Sequence, residues 1–508
     1  RAQSTEHRAP VPADGRDFYV GKAYFTIRLP LVTSSTHHRP NLTTAYTVGT
    51  PCSVRRNSSR AGRFDLSTEV TDAITTMASV NNEFFYWVSI ALMMLIHAGF
   101  LAYEVGASRS KNVLATAMKN LLAFATIVAS FYFVGWFLYN AMPSGFIEFS
   151  DAAKAALPWS DNMGPNVEDS ASGIFWGAFA LFAATTGSIM SGAVLERIRT
   201  SAFLVLTVLV GSVVWIIGAA WGWHGAGWML TKLGFHDVGA AGCVHMIAGF
   251  ATLGILLNLG PRIGRFRADG SAVTIRPHNL PLTMLGLMLI FTGFFGFLMG
   301  CVIYGPGGYA TIYGSPTTLS AFAFNTLMGL AGGIIGAYLT SRGEPFWTIS
   351  GGLAGVIGVA SGMDLYHPAL AFIIALGAGA LIPFIGKLLE KFKIDDVVGA
   401  VSVHGGIGLY SVLMAGVFLA GYPNTDGNPS ISFWGQVVGA LTFVALGFIP
   451  AYLVSLALKK VGMLRIPPEV EEQGLDLTEV PATPYPEGIP VTVMRTTDEL
   501  LVATEEVK

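Results

Sequence analysis

The sequence predicts an all-α polytopic membrane protein with eleven transmembrane helices, arranged as an inverted five-plus-five repeat plus one. The 508-residue chain is 52% hydrophobic and 12% charged, whereas a soluble domain carries about 25% charged residues. From Glu83 onward, apolar runs long enough to cross a bilayer follow one another. A pattern of residues around His245 recurs around His404, which indicates an internal repeat.

The apolar runs predict eleven spans. In chain order they cover about residues 83–106, 112–140, 171–194, 200–222, 238–259, 279–303, 317–340, 346–362, 367–388, 396–420 and 432–458. The eighth is short and rich in glycine, with the sequence ISGGLAGVIGVASG. Small residues let membrane helices approach closely, so we expect this span to pack tightly against its neighbours.

The segments outside the spans are polar. Residues 1–78 are rich in Arg, Pro, Ser and Thr and lack an apolar period, so we expect them to be disordered. Residues 79–465 form the predicted membrane domain. Residues 466–508 are acidic and rich in proline, and we interpret them as a cytoplasmic tail.

The positive charges predict the orientation. Cytoplasmic loops of membrane proteins carry an excess of Lys and Arg. The loops after even-numbered spans contain only Lys154 and Lys232, which predicts that the N-terminus is outside, the C-terminus is cytoplasmic and the number of spans is odd. The loops after odd-numbered spans contain Arg109, Lys111, Arg197, Arg199, Arg262, Arg265, Arg267, Arg276, Arg342, Lys387, Lys391, Lys393, Lys459, Lys460 and Arg465.

The repeated pattern is D-V-x6-V-H-x3-G. It begins at Asp237 and again at Asp396, and it ends at Gly249 and Gly408. Five spans per repeat give the halves opposite orientations, with His245 in span five and His404 in span ten. Inverted repeats with a central site are typical of transporters, and a titratable ring in a membrane normally faces a cavity or pathway. We therefore expect the two imidazoles to meet at the centre of one protomer.

Composition excludes several other functions. The net charge of −2 indicates no nucleic-acid partner, and the three cysteines form no disulfide framework. The sequence has no Cys/His cluster that would suggest a metal and no catalytic cluster, so we expect neither a cofactor nor an enzyme. No predicted span carries a lysine where a retinal Schiff base of a light-driven pump would be expected.

Seven motifs, in order from the first span to the C-terminal tail, resemble the ammonium transporters of the Amt branch of the Amt/Mep/Rh superfamily. The resemblance implies ammonium transport by a homotrimer in the plasma or inner membrane, with one narrow pore per protomer in the lipid bilayer. It also implies a PII-type regulatory protein as a partner at the cytoplasmic face. The motifs are AGFLAYEVGASRSKN (98–112), GAVLERIR (192–199), DVGAAGCVH (237–245), RPHNLP (276–281), GFFGF (293–297), DDVVGAVSVHG (395–405) and VEEQGLDLTE (470–479).

The resemblance also assigns pore residues. His245 and His404 match the paired pore histidines of the family. Phe182, fourteen residues before Glu196, and Phe297, which closes GFFGF, match two gate phenylalanines. The implied mechanism is recruitment of ammonium at an aromatic outer site, deprotonation, and conduction of ammonia past the histidine pair.

Trp223, Cys301 and Phe179 match the outer cation site, and Asp237 matches an acidic residue that orients backbone carbonyls near the outer mouth. Trp223 aligns only with one inserted residue, and Trp228 is the alternative.

The chain departs from the family pattern at four further places. Cys301 stands where the family has serine, and Gly399 replaces a common acidic residue. Phe294 stands where the family's GWFGF has tryptophan, and Leu298 stands where the family has the asparagine that follows this motif.

Other interpretations remain open at this stage. Each histidine could be a packing residue, the phenylalanines core residues, Trp223 an interfacial residue and Asp237 a helix N-cap. An ammonium sensor of the same fold would be expected to carry an appended signalling domain, for which the tail after Arg465 is too short. An Rh-like gas channel is a further alternative that the DLTE and ERIR segments resemble less.

Overall fold

A computed structural model of the chain describes residues 66–164, 170–305, 308–425, 427–480 and 482–485. Within these residues ten helices are long and apolar enough to cross a membrane, and an eleventh, with 16 residues, is shorter. In chain order they are α1 (Leu66–Ala107), α2 (Ser110–Ala141), α3 (Ser170–Ala193), α4 (Thr200–Gly222), α5 (Ala241–Leu259), α6 (Leu280–Met299), α7 (Leu319–Ser341), α8 (Pro345–Ala360), α9 (Pro368–Lys391), α10 (Val401–Leu419) and α11 (Phe433–Lys460).

Shorter helical pieces accompany these helices. π-Helical stretches, which often occur at functional sites, interrupt or begin helices at Phe131–Gly135, Val210–Val214, Ala241–Met246 and Val401–Gly406. Single-turn helices lie at Asp151–Ala155, Asp161–Met163, Trp228–Leu233, Pro468–Gln473 and Leu475–Thr478.

Local sequence accounts for where several long helices begin. Side chains of Asn279, Thr318 and Ser432 accept hydrogen bonds from backbone N–H groups three residues ahead, at 3.0, 3.2 and 3.3 Å. Such N-caps satisfy donors that the first turn leaves unpaired. Pro345 and Pro368 begin α8 and α9, where a missing N–H costs nothing.

The first helix is longer than predicted. With 42 residues, α1 spans about 63 Å, roughly twice the 30 Å hydrocarbon core of a bilayer. Because α1 begins at Leu66, residues 66–78 are helical, and the expectation that they are disordered is wrong. Residues 1–65 of that segment lie outside the described residues.

A small antiparallel sheet follows α6, which the hydropathy pattern did not predict. The sixth apolar run was expected to continue to residue 303, but α6 ends at Met299. The chain then forms β1 (Val302–Gly305), β2 (Gly308–Thr311) and β3 (Pro316–Thr317) in the order β1-β2-β3. Val302 pairs with Thr311, and Tyr309 pairs with Thr317.

Loops segregate to two faces of the helical unit. His236, Tyr313, Asp364 and Asn424, from the loops after α4, α6, α8 and α10, meet through hydrogen bonds. We call their side the predicted outer face and the opposite side the predicted cytoplasmic face.

Loops after odd-numbered helices meet at the predicted cytoplasmic face. Arg109 pairs with Glu196 at 2.6 Å, which joins the loops after α1 and α3. Arg262 binds Asp395 at 2.9 Å, which joins the loops after α5 and α9. Glu344, before α8, lines one cavity with Asp395, whereas Asp364 lies at the other face. The short α8 therefore runs between the two faces, and the count of eleven crossings stays a prediction because α8 is shorter than the ten candidate spans.

The helices that carry the histidines lie in the interior. The apolar stretches of α5 and α10 are 83% and 61% buried, against 28% for α2 and α11. The expectation of tight packing around α8 is confirmed: a Cβ at Gly351 or Gly355 would collide with the backbone of α7 at Gly333 or Gly329.

The first part of the predicted C-terminal tail folds against the helices. The Asp476 carboxylate accepts hydrogen bonds from the N–H groups of Leu114 (3.1 Å) and Ala115 (2.8 Å) at the start of α2. Glu471 accepts from Ile263 N–H at 2.7 Å. Residues 466–480 therefore contact the bundle, and residues 486–508 lie outside the described residues.

Candidate functional site

Two aspartates hold the starts of the helices that carry the histidines. Asp237 Oδ2 accepts hydrogen bonds from Gly242 N–H (3.0 Å) and Cys243 N–H (2.9 Å). The Asp396 carboxylate accepts from Ala400 N–H (2.9 Å) and Val401 N–H (2.7 Å). These donors have no partner within their own helix. A negative charge near the N-terminus of a helix also interacts favourably with the helix dipole.

This capping explains why α5 and α10 begin later than predicted, at residues 241 and 401 rather than 238 and 396. The N-cap residue of α5 is Ala240, so Asp237 caps the helix from three residues upstream and is not itself the N-cap. Because α5 begins beside the His236 loop and α10 begins beside Asp395, the two halves of the repeat have opposite directions, as the sequence predicted.

The residue three positions after each aspartate has a left-handed backbone. Ala240 has φ of 65° and Gly399 has φ of 73°, and the two positions correspond in the repeat. This conformation costs roughly 1–2 kcal/mol for a residue with a Cβ. Its presence at Ala240 indicates that the surrounding contacts impose the same turn in both halves.

The histidines meet directly. Nδ1 of His245 lies 2.9 Å from Nδ1 of His404, and the rings are inclined by 22° with centroids 5.1 Å apart. The side chains are buried, with 2% and 4% of their surface exposed. Between two neutral imidazoles, one Nδ1 must donate and the other accept, so the rings hold opposite tautomers. One Nε2 is then an acceptor and the other a donor.

Nε2 of His245 has no hydrogen-bond partner among the described residues, although it is buried. An unpaired buried polar atom costs about 1–3 kcal/mol. The atom is therefore available to a small polar molecule.

Two glycines allow this meeting. Gly249 and Gly408 each lie four residues after a histidine. A Cβ at Gly249 would collide with the backbone of Gly405, and one at Gly408 would lie 2.6 Å from the carbonyl oxygen of Ala241. The repeated glycines therefore bring α5 and α10 into backbone contact beside the imidazole pair.

A column of buried aromatic rings continues from the histidines towards the predicted outer face. The ring of Phe297 lies 5.6 Å from that of His245, and the ring of Phe182 lies edge-on to Phe297 at 4.5 Å. Trp223 follows at 5.3 Å from Phe182, with Phe179 at 5.9 Å from Trp223. Rings in such contact leave no open passage, so a molecule that follows the column requires them to move.

Trp223 rather than Trp228 joins the column, since Trp228 contacts Trp221 instead. The indole N–H of Trp223 donates to the backbone carbonyl of Asp237 at 2.6 Å. The Asp237 carboxylate accepts from the hydroxyl of Ser361 at 2.7 Å. Burial raises the pKa of Asp237, although the hydrogen bonds from Cys243, Ser361 and Gly242 to its carboxylate oppose the shift. Asp237 thus supports Trp223 through its backbone and the start of α5 through its side chain.

Cys301 follows Gly300, the glycine that packs against the ring of Phe182 in this column. Its thiol donates to the carbonyl of Phe297 at 3.4 Å. A Cβ at the preceding Gly300 would lie 3.1 Å from the ring of Phe182. The thiol therefore already has a hydrogen-bond partner, the backbone carbonyl of the predicted gate residue Phe297.

The sequence did not assign a role to His236. Its buried ring lies 3.0 Å from Asp364 Oδ1 and 2.7 Å from the hydroxyl of Tyr313. Gln436 bonds both its N–H and its carbonyl, at 3.0 and 2.7 Å. Since His236 precedes Asp237, this cluster fixes the backbone that holds Trp223. Among the described residues no group of three or more His, Cys, Asp or Glu side chains could hold a metal ion.

The sequence model of the Ammonium Transporter Family matches residues 84–485. The ammonium transporter Amt1 of Methanocaldococcus jannaschii is 32% identical over 416 residues, which cover 81% of this chain and 98% of the relative. Amt2 of the same organism is 33% identical over 423 residues, which cover 82% and 94%.

Solved structures are similar as well. A structure titled Sensor Amt Protein has a TM-score of 0.69 and 27% sequence identity, and the match covers 80% of this chain and 99% of that chain. Mep2 of Saccharomyces cerevisiae has a TM-score of 0.63 and 23% identity, and the match covers 76% and 87%; this likeness concerns the fold.

Proposed function

The chain belongs to the ammonium transporter family, and we propose that it binds ammonium at Trp223, removes its proton, and passes ammonia between Phe182 and Phe297 and along the histidine pair. The observation that carries the proposal is the unbroken series of rings from Trp223 to His404.

The chemistry of the column separates ammonium from potassium. An aromatic face attracts a cation by about 0.5–2 kcal/mol, which suits recruitment at Phe179 and Trp223. The gate between Phe182 and Phe297 is apolar and buried, and a charge without a partner there would be strongly penalised. Ammonium can lose a proton and cross as ammonia, whereas potassium keeps its charge.

The histidine pair offers the proton a separate route. A proton arriving at the accepting Nε2 of one ring lets the shared Nδ1 proton move to the other ring, whose Nε2–H then releases its own proton. Each passage reverses both tautomers. The net change is the transfer of one proton past His245 and His404, with ammonia moving beside them, and both rings must return to their starting tautomers before the next proton crosses in the same direction.

The assembly follows from the family resemblance. We propose a homotrimer in the cell membrane, with one pore per protomer, the N-terminus outside and the C-terminus in the cytoplasm. The positive loops after α1, α3 and α5 support this orientation. A PII-type protein is the proposed partner at the cytoplasmic face.

A second candidate function is ammonium sensing. It is favoured by the likeness to the structure titled Sensor Amt Protein. A sensor would bind ammonium at the same aromatic site without carrying a current, so a transport measurement separates the two functions.

The test uses the full chain in proteoliposomes, with currents recorded after ammonium or potassium is added. We expect an ammonium current and no potassium current. The double variant His245→Ala and His404→Ala should abolish the ammonium current because the proton route is lost. The matched control is His367→Asn: this histidine caps α9 at the surface, and asparagine can cap equally well.

Wild-type current and potassium exclusion in the double variant would overturn the mechanism and make the histidines packing residues. Ammonium binding without current in the wild-type chain would favour the sensor.

A further inference from the structure

The loop between α6 and α7 crosses the predicted outer face as a strap. It contains the three-stranded sheet, and we call its residues 301–305 and 308–317 the outer strap. The N–H of Ile312, after β2, donates to the carbonyl of Cys301, before β1, at 3.0 Å. The thiol of Cys301 in turn donates to the last turn of α6. These bonds close the sheet against the helix that carries the predicted gate residue Phe297.

Two hydroxyl groups from other parts of the bundle anchor the outer strap. The hydroxyl of Tyr86 on α1 donates to the carbonyl of Val302 at 3.0 Å. The hydroxyl of Thr425, in the loop after α10, donates to the carbonyl of Tyr313 at 2.9 Å. Tyr313 itself is 4% exposed, and a ring in such close packing has little room to move. Tyr313 is therefore held both by its backbone and by the packing around its ring.

The hydroxyl of Tyr313 extends this anchorage to the loop that precedes α5. It lies 2.7 Å from Nδ1 of His236. The next residue, Asp237, provides the backbone carbonyl that accepts the indole N–H of Trp223 at 2.6 Å. His236 and Asp237 therefore connect Tyr313 to the ring that is proposed to recruit ammonium.

The other partners of His236 come from different elements. Gln436 on α11 bonds its backbone N–H and carbonyl, at 3.0 and 2.7 Å. Asp364, in the turn after α8, lies 3.0 Å from Nε2, and Asn424, in the loop after α10, lies 3.0 Å from Nδ1. Among these contacts, that with Tyr313 ties His236 to the end of α6.

The position of the Trp223 indole decides how well it attracts a cation. Cation–π attraction requires the cation to lie over the ring face, within about 6 Å of the centroid. The indole contacts Phe182 at 5.3 Å and Phe179 at 5.9 Å, so a rotation of the indole would disturb both rings. A fixed carbonyl at Asp237 sets the direction of the indole N–H before the cation arrives, and such preorganisation improves affinity.

We propose that Tyr313 is a positioning residue of the outer ammonium site: through the ring of His236, its hydroxyl fixes the backbone carbonyl that orients the indole of Trp223. The proposal rests on the proposed function, because it concerns the recruitment of ammonium at that indole. In this role Tyr313 acts through Trp223 rather than by contact with the cation. It affects entry from the outer side and leaves entry from the cytoplasmic side unchanged.

The test compares the two sides of the membrane. Ammonium currents are recorded on right-side-out and inverted membrane vesicles that contain the full chain. Tyr313→Phe removes the hydroxyl and keeps the ring, so the strap should still pack. We expect the half-saturating ammonium concentration to rise about fivefold in right-side-out vesicles, the effect of one net hydrogen bond. The maximum current, and the half-saturating concentration in inverted vesicles, should be unchanged.

Tyr366→Phe is the matched control. Tyr366 lies in the turn after α8, on the same face, and its buried hydroxyl has no hydrogen-bond partner among the described residues. The control should leave both half-saturating concentrations unchanged. Thr425→Val is a second test, because it keeps the shape of the side chain and removes the hydroxyl that donates to the carbonyl of Tyr313. It should raise the outer half-saturating concentration as well.

The route through Trp223 has its own test. Trp223→Phe keeps an aromatic ring and removes the indole N–H, so the carbonyl of Asp237 no longer has this group to orient. In that background Tyr313→Phe should cause no further rise in the outer half-saturating concentration, whereas independent effects would add. Thermal unfolding of each variant measures general loss of stability, which would affect both kinds of vesicle alike.

Wild-type current together with an unchanged outer half-saturating concentration in Tyr313→Phe would overturn the inference and leave the proposed function intact. Equal rises in both kinds of vesicle, or a further rise in the Trp223→Phe background, would also overturn it. Absence of an ammonium current in the wild-type chain would overturn the proposed function, and the inference with it.

Discussion

Replacing Gly408 by alanine should break the hydrogen bond between the two histidines without altering either ring. The new Cβ would lie 2.6 Å from the carbonyl oxygen of Ala241 and 2.9 Å from the N–H nitrogen of Met246. The shorter distance is about 0.8 Å below the 3.4 Å at which ordinary contact begins. Because the opposing atoms belong to the backbone, α10 must retreat from α5 by about this amount.

This movement of α10 would lengthen the hydrogen bond between the two histidines beyond its normal range. The Nδ1 atoms of His245 and His404 are 2.9 Å apart, and an added 0.8 Å exceeds the roughly 3.2 Å upper range of such bonds. Overpacking also costs about 1–3 kcal/mol of stability. We expect a folded protein whose ammonium current in proteoliposomes falls at least tenfold.

The control is Gly416→Ala on the same helix. Its nearest neighbours are side-chain atoms of Gln436 and Phe433 at 3.1–3.2 Å, which can shift without moving α5. This variant should keep the current. If Gly408→Ala folded, crystallised with the histidines still at about 2.9 Å and carried wild-type current, the contact would be irrelevant to transport.

Three further changes test the site. His404→Asp should let potassium through, because a fixed negative charge can hold an intact cation where water is scarce; potassium exclusion in current recordings would contradict this. Cys301→Ser should lower the half-saturating ammonium concentration or leave it unchanged, since a hydroxyl is the better hydrogen-bond partner; a clear increase would oppose a role for residue 301 at the outer site. Burial lowers the pKa of His236, but Asp364, Asn424 and Asp237 together raise it by more, so the net pKa is raised. The stability from this charge is therefore fully present below about pH 6.5 and is lost as the pH rises through the folded pKa. In thermal unfolding experiments, His236→Ala should reduce this pH-dependent loss of stability. If the pH dependence of the unfolding temperature were unchanged, the His236–Asp364 pair would not be its source.

The sequence predicted the parts of the fold that depend on local pattern. Apart from the start of α1, hydropathy located the helices within a few residues, and the repeated D-V-x6-V-H-x3-G pattern identified the two histidines that the structure brings together. The pattern also led to Gly249 and Gly408, although their role in helix contact became clear only from the backbone distances.

The first helix shows why hydropathy placed one boundary incorrectly. Residues 66–82 are polar enough to lack a membrane signal, yet they continue α1. Starting a helix is the costly step, and extending an existing one is much less so. A polar segment can therefore be helical because it extends the apolar helix that follows it. A hydropathy average over the polar segment alone does not predict this.

The outer cluster and the cavity at the predicted cytoplasmic face could not be predicted because each is formed by distant segments. His236, Tyr313, Asp364 and Asn424 come from four loops, and no local pattern connects them. Trp347 likewise meets Gly399 only through the packing of α8 against the start of α10.

The two halves of the repeat show which features the pore requires and which can differ. The capping aspartate, the left-handed turn, the histidine and the contact glycine occur in both halves, so they belong to the frame that holds the imidazoles. The positions that differ are Cys243 against Ser402 and Ala240 against Gly399.

Because the halves face opposite sides of the membrane, a difference between them is a difference between the two mouths. On the Trp223 side the space is filled by buried rings, whereas on the Trp347 side it is a cavity lined by Ser402, whose hydroxyl has no hydrogen-bond partner among the described residues. In the proposed mechanism, the inverted frame makes the proton route the same in both directions, and a difference in binding between the two mouths must come from the positions that differ.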